Sequence, residues 1–494
     1  MSALRCRGVA PEQQRAESFA RLRAFLARDV LRYSPFYRAR FAALGLGAAD
    51  IASEADWAAK VPFTSKDELR DQAADFVLAP NYPGRRADPR TEEIDAASLA
   101  RYARQAERAA EEAGDIEPPT PLEERAYRAF LHDWQPILYT RTGGTTGNAA
   151  QSVYTLSDLH GPFKRCALFH HNMVGWSPEQ RFMSLLPAGE HLGFYGNLLV
   201  PILNGQPLRA MMGGRTVSTE NQVLVAARDG TQALYGTSSY LVNWLETAVA
   251  LQAEGKIAGL PALQLLSASA EALSEGYAAS IRTALRQLGA PGARLVQGMS
   301  STELKSGGFR ECDEGMGLHV DPQHYFIEII DPDTRLPAKP GERGVLVWSH
   351  IDWHGTVILR YWSGDTIDGG TRFDECPGCG LTVPRLFPPF RRLLADFIKV
   401  KGARVDLAEL RAAIETAFPR DSYQIDIRGD EHGKLTVRGH LLAGLDADRF
   451  RSLIFGAVEL RLDSVDACTP EQMNHRLYGA GGWKPRWLIN EQAQ

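Results

Sequence analysis

The apolar positions change period along the chain, and each change marks a different kind of element. From Gln13 to Leu44 the residues Phe19, Leu22, Phe25, Leu26 and Val30 recur at three- and four-residue spacing, the period of a helix with one buried face. Pro62-Phe-Thr-Ser-Lys-Asp-Glu-Leu69 reads as a helix entry. Thr64 or Ser65 can cap it, and Asp67 and Glu68 fall in the first turn. Thr91 to Gly114 is a charged helix of Ala, Glu and Arg with a thin apolar stripe of Leu99, Tyr102 and Ala106. Pro118-Pro-Thr-Pro121 ends it, so 82–125 is expected to be a surface insertion, a solvated arm.

Between Gln151 and Ser349 the pattern alternates. Phe182–Leu186, Ala233–Tyr235, Leu263–Leu266 and Arg294–Val296 are short strand-like runs, separated by helical stretches such as Tyr240–Glu254 and Glu275–Gly289. That alternation predicts an α/β fold of layered subdomains around a largely parallel sheet. Tyr325–Ile330, Gly344–Trp348 and Val357–Arg360 read as three antiparallel strands. After Pro388-Pro389 the chain restarts with Phe397–Val400, Leu407–Ala417, Gln424–Ile427 and Leu435–Leu442, a small α+β module. The expected domains are 1–394 and 395–494.

Composition narrows the function classes. The chain has 494 residues, 44% hydrophobic and 23% charged, with net charge -5. No basic run tracks a phosphate backbone, which argues against nucleic acid. No apolar window reaches the roughly 20 residues of a membrane span. The first residues lack the apolar core of a secretory signal. Six cysteines in a chain of this length do not make a disulfide framework. A cytoplasmic location follows as the expectation.

Thr140-Arg-Thr-Gly-Gly-Thr-Thr-Gly-Asn148 is the most informative stretch. It follows the strand-like Pro136–Tyr139. Glycines let backbone amides turn toward an anion, and threonine hydroxyls add donors. The Gly-Lys-Ser/Thr of the Walker loop is absent, so Thr142, Gly143, Gly144, Thr145, Thr146 and Gly147 suggest a phosphate loop of another kind.

The order of further motifs resembles the acyl-adenylate-forming superfamily of acyl-CoA synthetases and adenylation domains, and within it the phenylacetate-CoA ligase branch. The motifs are Pro62–Leu69, Thr142–Gly147, Tyr235-Gly-Thr-Ser-Ser239, Gln297-Gly-Met-Ser-Ser-Thr-Glu303, Gly317-Leu-His319, Glu328–Pro332, Arg360-Tyr-Trp-Ser-Gly-Asp365, Ile398–Gly402 and Lys484. The resemblance implies a large N-terminal domain that binds ATP and an acid, and a small mobile C-terminal lid. It implies attack of a carboxylate on the α-phosphate of ATP, giving acyl-AMP and pyrophosphate, then transfer to a thiol. By that resemblance the Thr142–Gly147 loop holds the β- and γ-phosphates. Thr302 meets the α-phosphate and Glu303 binds Mg²⁺. Ser269, Ala270 and Glu271 lie at adenine, Asp365 takes the ribose hydroxyls, and Lys484 reaches the carboxylate and α-phosphate. Two departures stand out. Met299 replaces the aromatic residue beside adenine, and Arg392-Leu-Leu-Ala-Asp396 replaces the usual hinge, with Ala395 at the place of the hinge carboxylate and Arg392 or Arg391 able to serve for the arginine from a neighbouring position.

Cys376-Pro-Gly-Cys379 has the spacing of a metal knuckle, and Cys312 lies seven residues before His319. Together they make a Cys₃His set suited to structural Zn²⁺, an arrangement that some phenylacetate-CoA-ligase-like proteins resemble. A Cys376–Cys379 redox pair or plain buried thiols are the alternatives. The acid pocket is expected among Phe194, Tyr195, Ser239, Tyr240 and Met299, whose aromatic character favours an aryl acid. The acceptor is expected to be CoA, with an amine or a carrier protein as the alternative and a non-catalytic binding module as the second. A homodimer is consistent with all of these.

Overall fold

A computed structural model describes residues 6–85, 87–113, 120–142, 150–270, 273–306, 308–393, 397–400, 403–429, 435–479 and 485–491. The chain separates into two compact units, Met1–Phe390 and Arg391–Gln494.

The larger unit is α/β. Its strands in chain order are β1 (Leu138–Arg141), β2 (Gln151–Tyr154), β3 (Phe182–Ser184), β4 (Leu208–Ala210), β5 (Ala233–Thr237), β6 (Leu265–Ser269) and β7 (Arg294–Met299). Then come β8 (Phe309–Arg310), β9 (Leu318–His319), β10 (Tyr325–Ile330), β11 (Gly344–His350), β12 (Tyr361–Ile367), β13 (Thr371–Arg372) and β14 (Arg385–Leu386). The central sheet runs β13-β14-β9-β8-β7-β6-β5-β3-β4. Its half from β4 to β7 is parallel, and from β7 to β13 it is antiparallel. β5 and β6 are buried at every position, as expected for strands covered on both faces. The helices Ser238–Ala253 and Glu275–Gln287 cover it with Leu241, Trp244, Leu245, Ile281 and Leu285. Each such side chain contributes roughly 1.5–3 kcal/mol of burial.

A second apolar cluster joins the N-terminal helices to the antiparallel β10, β11 and β12. Phe19, Leu22, Phe25, Leu26 and Val30 all lie in it. The supposed solvated arm contributes too. The helices Ala96–Ala113 and Leu122–Trp134 bury Tyr102 and Ala106, and the Trp134 indole N–H donates to the Tyr102 hydroxyl at 2.8 Å. The thin stripe was enough to seat them. Val357–Arg360 is not a strand: Val357, Ile358 and Leu359 are fully buried, and regular pairing to β11 starts at Tyr361, after Arg360 turns to φ 47°.

The smaller unit has an antiparallel hairpin, Phe397–Val400 with Ala403–Asp406. It also has a four-stranded sheet in the order Ser464–Cys468, Leu435–Leu442, Tyr423–Gly429, Leu488–Glu491. The central pair is antiparallel and both outer pairs are parallel. Val405, Leu410, Ile414, Ile425, Val437, Phe450 and Ile454 form its core.

Candidate functional site

The Thr302-Glu303 motif sits on a single 3₁₀ turn, Thr302–Leu304, directly after β7. Ser301 caps the turn, its hydroxyl accepting from the Leu304 amide. The Thr302 hydroxyl donates to the Arg141 carbonyl at 3.2 Å, so the turn is bonded to the last residue of β1. β1 pairs with β2 in register from Leu138–Tyr154 to Arg141–Gln151. This hairpin carries the Gly/Thr loop. Thr142 closes its ladder: its amide donates to the Ala150 carbonyl and its hydroxyl accepts from the Ala150 amide. Gly143, Gly144, Thr145, Thr146 and Gly147 lie outside the described residues, as do Glu271, Lys484, Ala395 and the Arg392 side chain.

Glu303 is buried, and two groups from sequence-distant motifs face one of its oxygens. The Tyr361 hydroxyl donates to Oε1 at 3.1 Å, and the Lys66 ammonium stands 3.8 Å from it. Both residues belong to motifs that carry the family resemblance, but a hydroxyl or ammonium with no fixed spacing to Glu303 gives no periodic signal in the sequence. The approach of Lys66 has a structural cause. Ser65, not Thr64, caps the helix Lys66–Asp71, in a capping box with Glu68. Thr64 is instead buried, its hydroxyl donating to the Leu359 carbonyl while its amide and carbonyl bond to Arg360 and Trp362. Arg360 locks the same junction from below, with a bidentate pair to Glu328 at 2.9 and 3.1 Å and donation to the Ala58 and Val61 carbonyls.

A second buried ion pair holds the other flank. Lys305 follows the turn at φ 62° and places its ammonium 2.9 Å from Asp158, over the rings of Tyr154 and Trp353. Asp158 also accepts from the amides of Thr155, His354 and Gly355. Burial pushes its carboxyl up, but the Lys305 charge, and after it the His354 amide, hold it below the usual range.

Ser269 ends β6, and its buried hydroxyl has no partner among the described residues. Ala270 beside it takes φ 66°, an uncommon conformation for a residue with a Cβ. Asp365 lies on β12, four residues beyond Tyr361, with its amide bonded to the Ser363 hydroxyl. Near the Thr302–Leu304 turn a cavity opens among the helix Leu192–Leu203, β5, β6, β7 and β8, and Ser300 is on its wall. Its apolar surface comes from Val174, Trp176, Phe182, Leu192, Val200 and Tyr235. None of Phe194, Tyr195, Ser239, Tyr240 and Met299 lines it. Gly193, Gly196, Asn197, Val200 and Pro201 share one helical face, which turns Phe194 and Tyr195 elsewhere, and the Tyr240 hydroxyl bonds Thr219 and Gln222.

Cys312, His319, Cys376 and Cys379 converge, with their ligand atoms all within 4.8 Å of one another. The sulfurs of Cys312 and Cys376 are 3.6 Å apart, and Cys379 Sγ lies 3.3 Å from His319 Nε2. His319 Nδ1 meets the Gly317 carbonyl at 3.0 Å, which directs Nε2 to the thiols. A Cβ on Gly378 would come 3.1 Å from Cys312 Sγ, so a side chain there would crowd the cluster.

The profile of the AMP-binding enzyme family matches residues 39–362. The chain belongs to this family. Curated AMP-binding enzymes similar to it include the phenylacetate-coenzyme A ligase of Thermus thermophilus, 26% identical over 302 residues. That alignment spans 58% of this chain and 61% of the relative. The phenylacetate-coenzyme A ligase of Aromatoleum evansii is 23% identical over 465 residues, 93% of this chain and 85% of the relative. Among solved AMP-binding folds, 2-hydroxyisobutyryl-CoA ligase in the postadenylation state with R3-HIB-AMP superposes with TM-score 0.70 at 18% identity, covering 98% of this chain and 91% of that one. The fold is therefore that of the acyl-adenylate-forming enzymes. Among the described residues no helix is long and apolar enough to cross a membrane.

Proposed function

We propose that this protein activates a carboxylic acid with ATP to acyl-AMP and pyrophosphate, then transfers the acyl group to CoA. The observation that carries this reading is the bonding of the Thr302–Leu304 turn to the end of β1, which joins the proposed metal and α-phosphate ligands to the hairpin bearing the phosphate loop. A carboxylate is already a nucleophile, so the chemistry needs alignment of two anions and neutralisation of charge at phosphorus rather than a base. Thr302 is suited to an α-phosphate oxygen. Glu303 would hold Mg²⁺, a hard cation that takes carboxylate oxygen and supplies charge to the phosphates. Tyr361 and Lys66 orient Glu303 before that ion arrives. Thr142–Gly147 would receive the β- and γ-phosphates, Ser269 to Glu271 the adenine, and Asp365 the ribose. Arg392 and Lys484 belong to the smaller unit, which we read as the mobile lid, with Lys484 the cation for adenylation. The larger unit is the ATP- and acid-binding domain of this scheme.

The Cys₃His cluster fits Zn²⁺. Tetrahedral zinc with bonds of about 2.3 Å to sulfur and about 2.0 Å to nitrogen separates its ligands by roughly 3.5–3.8 Å, close to the spacing seen. Four protein ligands leave no open position, so the metal would brace β8, β9 and the 376–379 turn. We place the acid in the cavity beside Ser300. Trp176, Phe182 and Tyr235 favour an aromatic acid, as do the names of the curated relatives. We place the enzyme in the cytoplasm, where ATP and CoA are available. A pyrophosphate-release screen with Mg²⁺, ATP and a panel of acids, repeated with CoA, amines or a carrier protein, tests both half-reactions. No acid-dependent pyrophosphate from folded protein would overturn the activation reading, and release followed by transfer only to an amine or a carrier would overturn CoA as acceptor.

A further inference from the structure

The cavity beside Ser300 contains a cation that the adenylation chemistry does not use. Arg310 on β8 lies across the sheet, with its guanidinium 4.6 Å from the centre of the Tyr235 ring on β5 and a hydrogen bond to the Ser267 hydroxyl on β6. Among the described residues no acidic side chain lines the cavity and no carboxylate pairs with Arg310. Its position is built in by Gly308. At φ 76° that residue brings β8 so close to β7 that a Cβ would stand 1.9 Å from the Met299 carbonyl oxygen.

Two further polar atoms on the same wall are unsatisfied. Among the described residues, His170, 4% exposed, has no partner for its Nε2, and the buried indole N–H of Trp176 has none. Burial first, and the Arg310 charge second, push the His170 pKa down to about 3, so it stays neutral at physiological pH. Orphaned polar groups in an apolar wall are costly unless a ligand completes them. A guanidinium fork without an acidic partner matches a carboxylate. The void between the side chains is about 40 Å³, room for a few waters or one carboxylate, so the walls must part to admit the rest of an acid and the entering carboxylate must replace the hydrogen bonds of the displaced waters.

We propose that the acid activated here is a dicarboxylic acid, whose second carboxylate is bound by Arg310 with the Trp176 indole N–H as a further donor. This rests on the reading of the cavity as the acid pocket. One carboxylate would be presented toward Ser300 and the Thr302–Leu304 turn for adenylation while the other is neutralised by Arg310. Monoacids would leave the guanidinium desolvated and unpaired, which is the basis of discrimination.

The test uses the full chain and matched acids, phenylacetate against 4-carboxyphenylacetate and butyrate against glutarate, in acid-dependent pyrophosphate release. The dicarboxylate of at least one pair should be favoured in kcat/KM by about tenfold or more. Arg310→Gln should abolish that preference by raising KM for the dicarboxylate roughly 10–100-fold, with the monoacid and the KM for ATP little changed. Arg310→Lys, which keeps charge but not the fork, should lose part of the preference and covers the case in which Arg310→Gln fails to fold. Equal or better use of monoacids by the unaltered enzyme, or an equal loss for both members of a pair in the variants, overturns the proposal. Calorimetry without ATP separates the two readings. Dicarboxylate binding that disappears in the Arg310 variants, with no pyrophosphate from any acid, upholds the site and sinks the activation; absence of both sinks both.

Discussion

Replacing Lys305 by Met should destabilise the larger unit more than almost any other single change near the site. The ammonium is fully buried 2.9 Å from a carboxylate that is 1% exposed. At an effective dielectric of about 20 that separation corresponds to roughly 6 kcal/mol of attraction, from which the desolvation of both ions must be subtracted. Removing the cation recovers only its own desolvation and strands Asp158 among apolar rings, supported by three backbone amides alone. A loss of about 3–5 kcal/mol is expected, the range for a buried pair broken on one side. Trp353, whose ring the ammonium faces at 4.7 Å, makes tryptophan fluorescence in urea a direct readout of the unit that unfolds. Asp158→Asn should cost a similar amount, and the double variant should cost clearly less than the sum of the two, because it leaves no charge stranded. Lys305 also ends the turn that carries Thr302 and Glu303, so acyl-AMP formation by the folded Lys305→Met protein should fall as well. A Lys305→Met loss below about 1 kcal/mol, or strict additivity in the double variant, would refute the reasoning.

Three further outcomes are expected. Protein purified without added metal should carry about one zinc per chain by elemental analysis; Cys376→Ser with Cys379→Ser should remove it and lower thermal stability, and retention of stoichiometric metal by that variant would exclude the cluster as the site. Tyr361→Phe deletes one hydrogen bond to Glu303 and should weaken acyl-AMP formation by roughly tenfold, mainly through the Mg²⁺ concentration required, whereas an unchanged Mg²⁺ titration would show that Tyr361 does not orient the ligand. Lys484→Ala should slow acyl-AMP formation by roughly 10²–10³ while leaving consumption of supplied acyl-AMP nearly intact; equal damage to both half-reactions would make the lysine structural.

The elements of this fold were legible wherever local pattern and tertiary packing agree. The first helix, the parallel strands β5 to β7 and their covering helices follow from periodicity, because each buries the face that its apolar spacing marks. Pattern failed where burial occurs without pairing. Val357–Leu359 has the apolar content of a strand, but this stretch packs into the core beside the Thr64 junction and only the following residues join β11. The cysteine cluster was legible for a different reason: metal ligands demand specific residue types, and Cys-x₂-Cys survives as a local spacing while His319 and Cys312 are brought to it by β9 and the chain after β8. The cavity beside Ser300 was not legible. Aromatic residues near the helix Leu192–Leu203 were natural candidates, but a helix buries one face, and Gly193, Gly196 and Asn197 rather than Phe194 and Tyr195 occupy the face toward β5. Arg310 had no signal at all, since an arginine in a two-residue strand is ordinary by composition. What distinguishes it is a negative property, the lack of an acidic partner among the described residues in a wall of apolar and orphaned polar groups, and that exists only once four strands have been assembled. Charge complementarity to a ligand is therefore the part of this site that no linear pattern encodes, and it is the part on which substrate choice would depend.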